Sequence, residues 1–133
     1  MTRKHMSIDE RYVQAWVKSC GEHQYRDGTA VRIPSPPIRC EDGFEFSVQA
    51  GKDNYCTPRD NYAENYTHFE VGYPTQYEES LAPYASDPEH SPGIYGWVPL
   101  AVIMYLIEKH GGIHGGSARG DWSLRYVSPM EEA

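Results

Sequence analysis

Two stretches of the chain alternate apolar and polar residues. In residues 44–50 (FEFSVQA) every second side chain is apolar, and the side chains between them are polar. Residues 67–73 (THFEVGY) repeat the alternation, with Phe69, Val71 and Tyr73 on the apolar face. A period of two is the pattern of a strand with one buried and one exposed face. Residues 55–57 predict a short strand between these two, ended by a proline that cannot donate to a ladder.

Two other stretches have the three- and four-residue spacing of helices. Residues 8–19 carry apolar side chains at that spacing, and Ser7 with Glu10 forms a capping box at their start. Leu100–Lys109 (LAVIMYLIEK) is apolar on nearly every side and is ended by glycine. A helix this apolar is predicted to pack on the sheet and to be covered on its other sides too. Residues 95–98 (YGWV) are predicted to lead into it.

These elements predict a single α+β domain over residues 1–133. We expect an antiparallel sheet of three to five strands. Residues 29–33 are a candidate for a further short strand. One C-terminal apolar helix packs on the sheet, and an N-terminal amphipathic helix lies at one side. A chain of 133 residues is long enough to bury one core. Residues 1–6 and 114–133 are predicted to be flexible or peripheral.

The composition indicates a protein that remains inside a cell. There is no run of 18 apolar residues, so no transmembrane helix is predicted. The first residues are basic but lack the apolar segment of a signal peptide. Cys20, Cys40 and Cys56 are odd in number and widely spaced, which favours reduced thiols over a disulfide framework. No cysteine pair has zinc-site spacing.

Formal charge is unevenly distributed along the chain. The net charge is −7, but residues 40–98 alone carry −9, because eleven Asp and Glu face only two Lys and Arg there. Seven of the eleven tyrosines lie in the same segment. An acidic surface repels phosphate, so direct nucleic-acid binding is not expected. A protein with a basic surface is the partner that this charge favours.

Tyrosines interleaved with acidic residues define the predicted binding surface. Five tyrosines fall within the 23 residues 62–84. On loops, tyrosines supply a large and rigid contact area at low entropic cost. The competing interpretation is that some of them, Tyr73 among others, pack in the core. The predicted partner-contact residues are Tyr62, Glu64, Tyr66, Tyr77, Glu78, Glu79, Tyr84, Asp87 and Glu89.

Signals for catalysis and metal binding compete with simpler interpretations. Cys56 and His68 are the residue types of a thiol nucleophile and its base, but no third member or oxyanion hole is evident. His110 and His114 have the four-residue spacing of a helical metal pair, yet the two glycines between them end the helix. No catalytic residue, metal ligand or cofactor is therefore predicted. An enzyme built on Cys56 and His68 stays as an alternative.

The strings FSVQA-G-x(3)-YC-x-PR (residues 46–59) and FEVGYP (residues 69–74) resemble a group of small phage and prophage proteins. Members of that group share a core of the form FSVQAS-x(3)-YC-x-PR, then VEVGFP, then YVP before a C-terminal helix ending in KHGG. Here the last two elements are WVP and KHGG, so the resemblance covers residues 33–113. It implies a mobile-element setting and transfers no catalytic residue.

Small acidic phage proteins often act on host defence, for example as inhibitors of CRISPR or restriction systems. The first hypothesis is therefore a non-enzymatic, phage-encoded inhibitor of a host defence complex, CRISPR-Cas above all, working in the cytoplasm of the bacterial host. It would bind a basic surface through the acidic, tyrosine-rich segment. An alternative is a phage accessory or assembly protein that uses the same surface for another protein partner.

Overall fold

The protein folds as an α+β domain. The computed structural model describes residues 8–19 and 22–114; of the predicted peripheral segments 1–6 and 114–133, all but residue 114 lies outside these ranges. In chain order the elements are α1 (Ile8–Lys18), β1 (Glu22–Gln24), β2 (Ala30–Arg32), β3 (Ile38–Arg39), β4 (Glu45–Gln49), β5 (His68–Gly72), a 3-10 helix (Glu79–Tyr84), β6 (Ile94–Pro99) and α2 (Leu100–Lys109). The predicted fold class is confirmed, and both predicted helices are present with nearly the predicted bounds.

The main sheet has four antiparallel strands in the order β3-β4-β5-β6. Strand β4 is the alternating segment of the sequence analysis, and Val48 lies opposite Val71 of β5. A two-stranded hairpin, β1-β2, forms separately, closed by a turn in which the amide of Tyr25 donates to the carbonyl of Thr29 at 2.8 Å. The turn before β4 is held by the amide of Cys40, which donates to the carbonyl of Phe44.

One face of the sheet carries the core. The alternating apolar side chains of β4 and β5 are buried there, against the apolar faces of both helices. The largest fully buried side chains are Trp16, Tyr66, Phe46, Phe69, Ile38, Leu81, Ile103, Leu106, Ile107, Val13, Val17 and Val48. Polar side chains between them on the strands, such as Glu70, point to the opposite face because successive side chains alternate.

Helix α1 is attached to the body by side-chain hydrogen bonds as well as by apolar packing. The indole of Trp16 donates to the carbonyl of Pro36 at 2.7 Å, and the hydroxyl of Ser35 donates back to the carbonyl of Trp16 at 2.8 Å. The buried amide of Gln14 donates to the carbonyl of Tyr66 and accepts from its backbone amide, at 2.8 and 2.9 Å. These bonds satisfy backbone groups that would otherwise be buried without partners.

Two local predictions are wrong, and one strand was not predicted. Residues 95–98 lead into α2, as predicted, but they form the centre of a strand, β6, at the edge of the sheet. Residues 55–57 form no strand, only a single bridge between Thr57 and His68. Helix α2 is not covered on all sides, because Ala101 and Tyr105 are exposed.

Candidate binding cleft and acidic surface

An open cleft of about 970 Å³ lies over the sheet. Its floor includes Glu70 of β5 and Gly96 of β6, on the side opposite the core. Lining residues from the segment 53–59 form one wall, and lining residues from 83–87 form the other. The second wall is tied to the sheet edge, because the amide of Ser86 donates to the carbonyl of Ile94.

The floor of the cleft contains a β-bulge. Phe69 lies opposite Val98 and Val71 lies opposite Tyr95, so two residues of β6 face the single residue Glu70. Bulges of this kind re-aim side chains and are frequent next to functional sites. Here the bulge turns a large aromatic residue of an edge strand outward.

That residue is Trp97, which adopts an unfavourable backbone conformation. Its φ is 51°, a left-handed value that costs a residue with a Cβ about 1–2 kcal/mol. Its amide donates to the carbonyl of Tyr55 at 2.9 Å, which ties the bulge to the first wall. The side chain is 44% exposed, unlike the core residues on either side of the bulge. Strain of this kind clusters at functional sites, which makes Trp97 a candidate contact residue.

The Trp97 side chain is held by aromatic stacking. Its ring lies 4.9 Å from the ring of Tyr55, with the planes 13° apart. The guanidinium of Arg59 lies 5.6 Å from the centre of the same tyrosine ring, within cation–π range. The result is an ordered layer, Arg59 on Tyr55 and Tyr55 on Trp97, that presents a fixed aromatic surface to the cleft.

Gly96 lets the two walls approach each other. A Cβ at this position would lie 2.8 Å from the Ser86 hydroxyl oxygen and 3.0 Å from the Cβ of Tyr55. Both distances are shorter than van der Waals contact, so any larger residue would move at least one wall. Glycine is therefore required by close packing here rather than by its φ.

Acidic side chains outnumber basic ones around the cleft. Asp53, Glu70 and Asp87 line it, with Arg59 as the one lysine or arginine of the described lining. The Glu70 carboxylate is half-buried and accepts a hydrogen bond at 2.7 Å from the Asn54 amide. An electronegative cleft attracts cations and disfavours phosphate and carboxylate ligands.

Seven of the nine predicted partner-contact residues reach the surface. Tyr62 and Tyr77 are 78% and 74% exposed, and Tyr84 is half-buried in the cleft wall. The four exposed acidic residues of the set are Glu64, Glu79, Asp87 and Glu89. Asp87 also lines the cleft, which connects the predicted surface to it.

Tyr66 is a correction to the predicted surface. Its side chain is buried against Phe69, and its hydroxyl donates to the carbonyl of Asp60 at 2.5 Å. Together with the two backbone hydrogen bonds between Tyr66 and the Gln14 side chain, this places Tyr66 in the core, where it cannot contact a partner.

Glu78 is the second correction, because it is buried in an ionic cluster. One carboxylate oxygen lies 2.5 Å from Nε2 of His110 and the other 2.7 Å from Nζ of Lys109. The opposite ring nitrogen of His110, Nδ1, lies 2.6 Å from Asp42, and the ring stacks on Phe44 at 3.9 Å. Both ring nitrogens face carboxylates, so both donate and the imidazole is protonated.

The ionic cluster shifts the pKa values of its members in opposite directions. Burial alone would lower the pKa of His110, but the carboxylates of Glu78 and Asp42 outweigh it and raise that pKa above its usual range. Burial alone would raise the pKa of Glu78, but hydrogen bonds from Lys109 and His110 outweigh it and lower that pKa. The cluster therefore stabilises its own charged state.

These shifts predict that the stability contributed by the cluster has a maximum in mildly acidic solution. The His110 contribution is complete below the unfolded-state pKa of 6.5 and is lost as pH rises through the higher folded-state pKa. The Glu78 contribution is complete above 4.5 and is lost as pH falls through the lower folded-state pKa. Urea midpoints of the wild type and His110→Gln, measured from pH 4 to 9, should differ most near pH 5–6 and converge at alkaline pH. A difference that does not change with pH would contradict the charged cluster.

Cys56 and His68 each hydrogen-bond to neighbouring groups. The Cys56 thiol is buried and hydrogen-bonded to the carbonyls of Gly51 and Pro58, at 3.1 and 3.3 Å. His68 Nδ1 instead lies 2.8 Å from the hydroxyl of the adjacent Thr67. These contacts assign Cys56 to the packing of the first cleft wall.

Within residues 8–19 and 22–114, no group of three or more His, Cys, Asp or Glu is arranged to hold a metal ion. No helix in this described part of the chain has the length and apolar character needed to cross a membrane.

The chain is thus an α+β domain with an open aromatic and acidic cleft. No protein-family model, no curated protein sequence and no solved structure matches the chain.

Proposed function

We propose that this protein is a non-enzymatic inhibitor that binds a basic surface of a host defence complex. A phage would encode it, and CRISPR-Cas is the first candidate for the target. The observation that carries the proposal is the kind of large apolar side chain that is exposed, among the side chains that the structure describes. All of them are aromatic residues with a polar group: Tyr25, Tyr55, Tyr62, Tyr73, Tyr77, Trp97 and Tyr105.

Exposed tyrosine and tryptophan support protein binding more than catalysis. These residues are enriched at interfaces because they bury a large area and lose little side-chain entropy. Five of the seven lie between residues 55 and 97, in the acidic part of the chain. Aromatic residues surrounded by carboxylates fit a partner surface rich in lysine and arginine.

The remaining surface charge supports the same partner. Glu78 is neutralised inside the protein by His110 and Lys109, so it does not add to the exposed field. Six acidic residues between positions 52 and 90 are exposed: Asp53, Asp60, Glu64, Glu79, Asp87 and Glu89. A groove that normally holds nucleic acid is basic, and an acidic protein can occupy it by electrostatic complementarity.

The biological setting of the proposal comes from the resemblance to small phage proteins. The two strings that carry it occupy residues 46–59 and 69–74, which contain Tyr55, Arg59 and Glu70 of the cleft. The resemblance thus supports a shared binding surface rather than a shared reaction. It also supports action in the cytoplasm of the bacterial host.

Phage plaquing on hosts with and without a CRISPR system tests the proposal directly. An inhibitor restores plaques only on the CRISPR-containing host, and the purified protein then retains the targeted Cas complex in a pull-down. If the protein does not raise plaquing on the CRISPR-containing host, or raises it equally on both hosts, the defence role is overturned and the accessory or assembly protein is favoured. Cys56→Ala should not change the result, since the thiol is internally bonded; loss of activity in a folded Cys56→Ala protein would favour the enzyme alternative.

Charge neutralisation on the acidic segment is expected to slow association. Glu79→Gln combined with Glu89→Gln should lower the on-rate for the retained complex about five-fold at low salt, because electrostatic steering is weakened. The off-rate should change little. Surface plasmon resonance at about 0.05 M and 0.5 M salt measures both rates, and high salt should remove the difference by screening.

A matched control removes the same charge elsewhere. Asp27→Asn combined with Glu108→Gln also deletes two exposed carboxylates, but outside the acidic segment 40–98. Its on-rate should stay near the wild-type value. If both double variants slow association equally, total charge rather than the acidic segment drives binding, and the proposed surface is wrong.

A further inference from the structure

We propose that the cleft over Glu70 and Gly96 is a receptor for a single arginine side chain presented by the partner protein. This proposal rests on the proposed function, because the arginine would belong to the partner protein of that function. The recognition chemistry can be tested with an isolated arginine group.

The lining charge selects a cation. Asp53, Glu70 and Asp87 supply three carboxylates against the one guanidinium of Arg59. Glu70 is the central acidic residue, because it lies on the floor opposite the bulge. Its Oε1 accepts from the Asn54 amide, which fixes the carboxylate plane, and a carboxylate has further acceptor sites for the N–H groups of a ligand. A guanidinium pairs with such a group through two parallel hydrogen bonds.

The aromatic layer selects a planar cation. Tyr55 covers one face of the Trp97 ring, yet the side chain remains 44% exposed. Tryptophan is the strongest aromatic partner for cations, and a guanidinium stacks flat on it, whereas a lysine ammonium is compact and strongly hydrated. The chain already uses this chemistry internally, because Arg59 lies over Tyr55 in the same layer.

The backbone holds this surface in place before a ligand arrives. Trp97 keeps a left-handed φ, Gly96 has no space for a side chain, and the amide of Trp97 is bonded to Tyr55. A bulge position with φ near +50° is ordinarily occupied by glycine or asparagine. A tryptophan in this position is explained if its side chain contacts the ligand. Because the surface is already fixed, binding costs less conformational entropy.

The test uses N-acetyl-arginine amide as the probe with the full chain. The backbone amide resonance of Gly96 reports the cleft, and the Trp16 indole, buried and bonded to Pro36, reports the fold. The Gly96 signal should shift saturably, with a Kd in the millimolar range for so small a ligand (about 1 mM). N-acetyl-lysine amide should bind several-fold more weakly. N-acetyl-citrulline amide, the neutral isostere of the arginine probe, should show no binding over the same range of concentrations.

Variants separate a binding site from a packing contact. Glu70→Gln should weaken arginine binding about ten-fold, as expected for loss of a charge-assisted pair. Trp97→Phe should retain part of the binding and Trp97→Leu should abolish it, since only phenylalanine keeps an aromatic face. Tyr105→Ala, which removes an exposed aromatic residue on α2, is the matched control and should bind normally. In each variant an unchanged Trp16 indole signal shows that the fold is intact.

Three outcomes would overturn the arginine receptor: equal binding of arginine and citrulline amides, no shift at Gly96, or unchanged affinity in folded Glu70→Gln. If the probe fails while Glu79 and Glu89 still control the on-rate for the defence complex, the cleft proposal falls and the proposed function stands. If the probe binds as described but plaquing shows no defence role, the receptor stands and the proposed function falls.

Discussion

An alanine in place of Glu78 is expected to lower the free energy of unfolding by about 3 kcal/mol, because it removes one partner of a buried ion pair. The Glu78 side chain is 1% exposed, and His110, at 3%, depends on it for one of its two acceptors. In this variant His110 can lose its proton, so no unpaired charge remains buried. The decrease in the free energy of unfolding is therefore at the lower end of the range for such pairs. In a chain of 133 residues this corresponds to a Tm about 10 °C lower.

The adjacent residue provides the control. Glu79→Ala makes the same chemical change at an exposed position and should leave the Tm unchanged. Urea unfolding of Glu78→Gln, His110→Gln and the double variant then measures the coupling between the two side chains. A wild-type Tm for Glu78→Ala, or additive effects in the double variant, would show that the pair does not form as described.

The helices were predictable because their signal is local. Leu100–Lys109 combines a long apolar run with a glycine stop, and the structure gives the helix those same bounds. Strand β4 was equally clear, since its five residues alternate strictly between buried and half-buried. In both cases the residues that decide the conformation are within one or two turns or pleats of each other.

Strand β6 was missed for a reason that also hid the cleft. Tyr95 and Val98 both pair on the core side of the sheet, although they are three positions apart. Only the bulge at Gly96 and Trp97 makes that spacing compatible with a strand, and a bulge breaks the period-two pattern. The Gly-Trp pair is the one local signal for it, because isolated glycine in a strand often marks a bulge.

Whether a predicted contact residue is exposed depends on residues of the same chain that are distant in sequence. Tyr66 is bonded to Gln14, 52 positions away, and Glu78 to His110, 32 positions away. A loop tyrosine or glutamate has no local pattern that reveals such a partner. Tyr55 and Arg59 were not predicted to belong to the site. Their stacking involves Trp97, which is distant in sequence and lies beside them only in the folded chain.

Replacing Tyr66 by alanine is expected to lower the free energy of unfolding by about 4 kcal/mol, in the range for large aromatic residues removed from a core. The ring packs against Phe69, and the hydroxyl bonds to the carbonyl of Asp60. Tyr66→Phe keeps the ring and loses only that bond, so it should cost about 1 kcal/mol. Urea unfolding of the two variants separates the ring from the hydroxyl.

Tyr77→Ala is the matched comparison and should behave in the opposite way. Its side chain is 74% exposed, so the Tm should stay at the wild-type value. As an anchor of the proposed interface it should weaken binding by about 2 kcal/mol, or about thirty-fold in Kd, mainly through a faster off-rate. Tyr66→Ala, by contrast, should bind normally in the fraction that remains folded, because a buried side chain does not reach the partner. A stable Tyr66→Ala protein with weakened binding would return Tyr66 to the interface and contradict its place in the core.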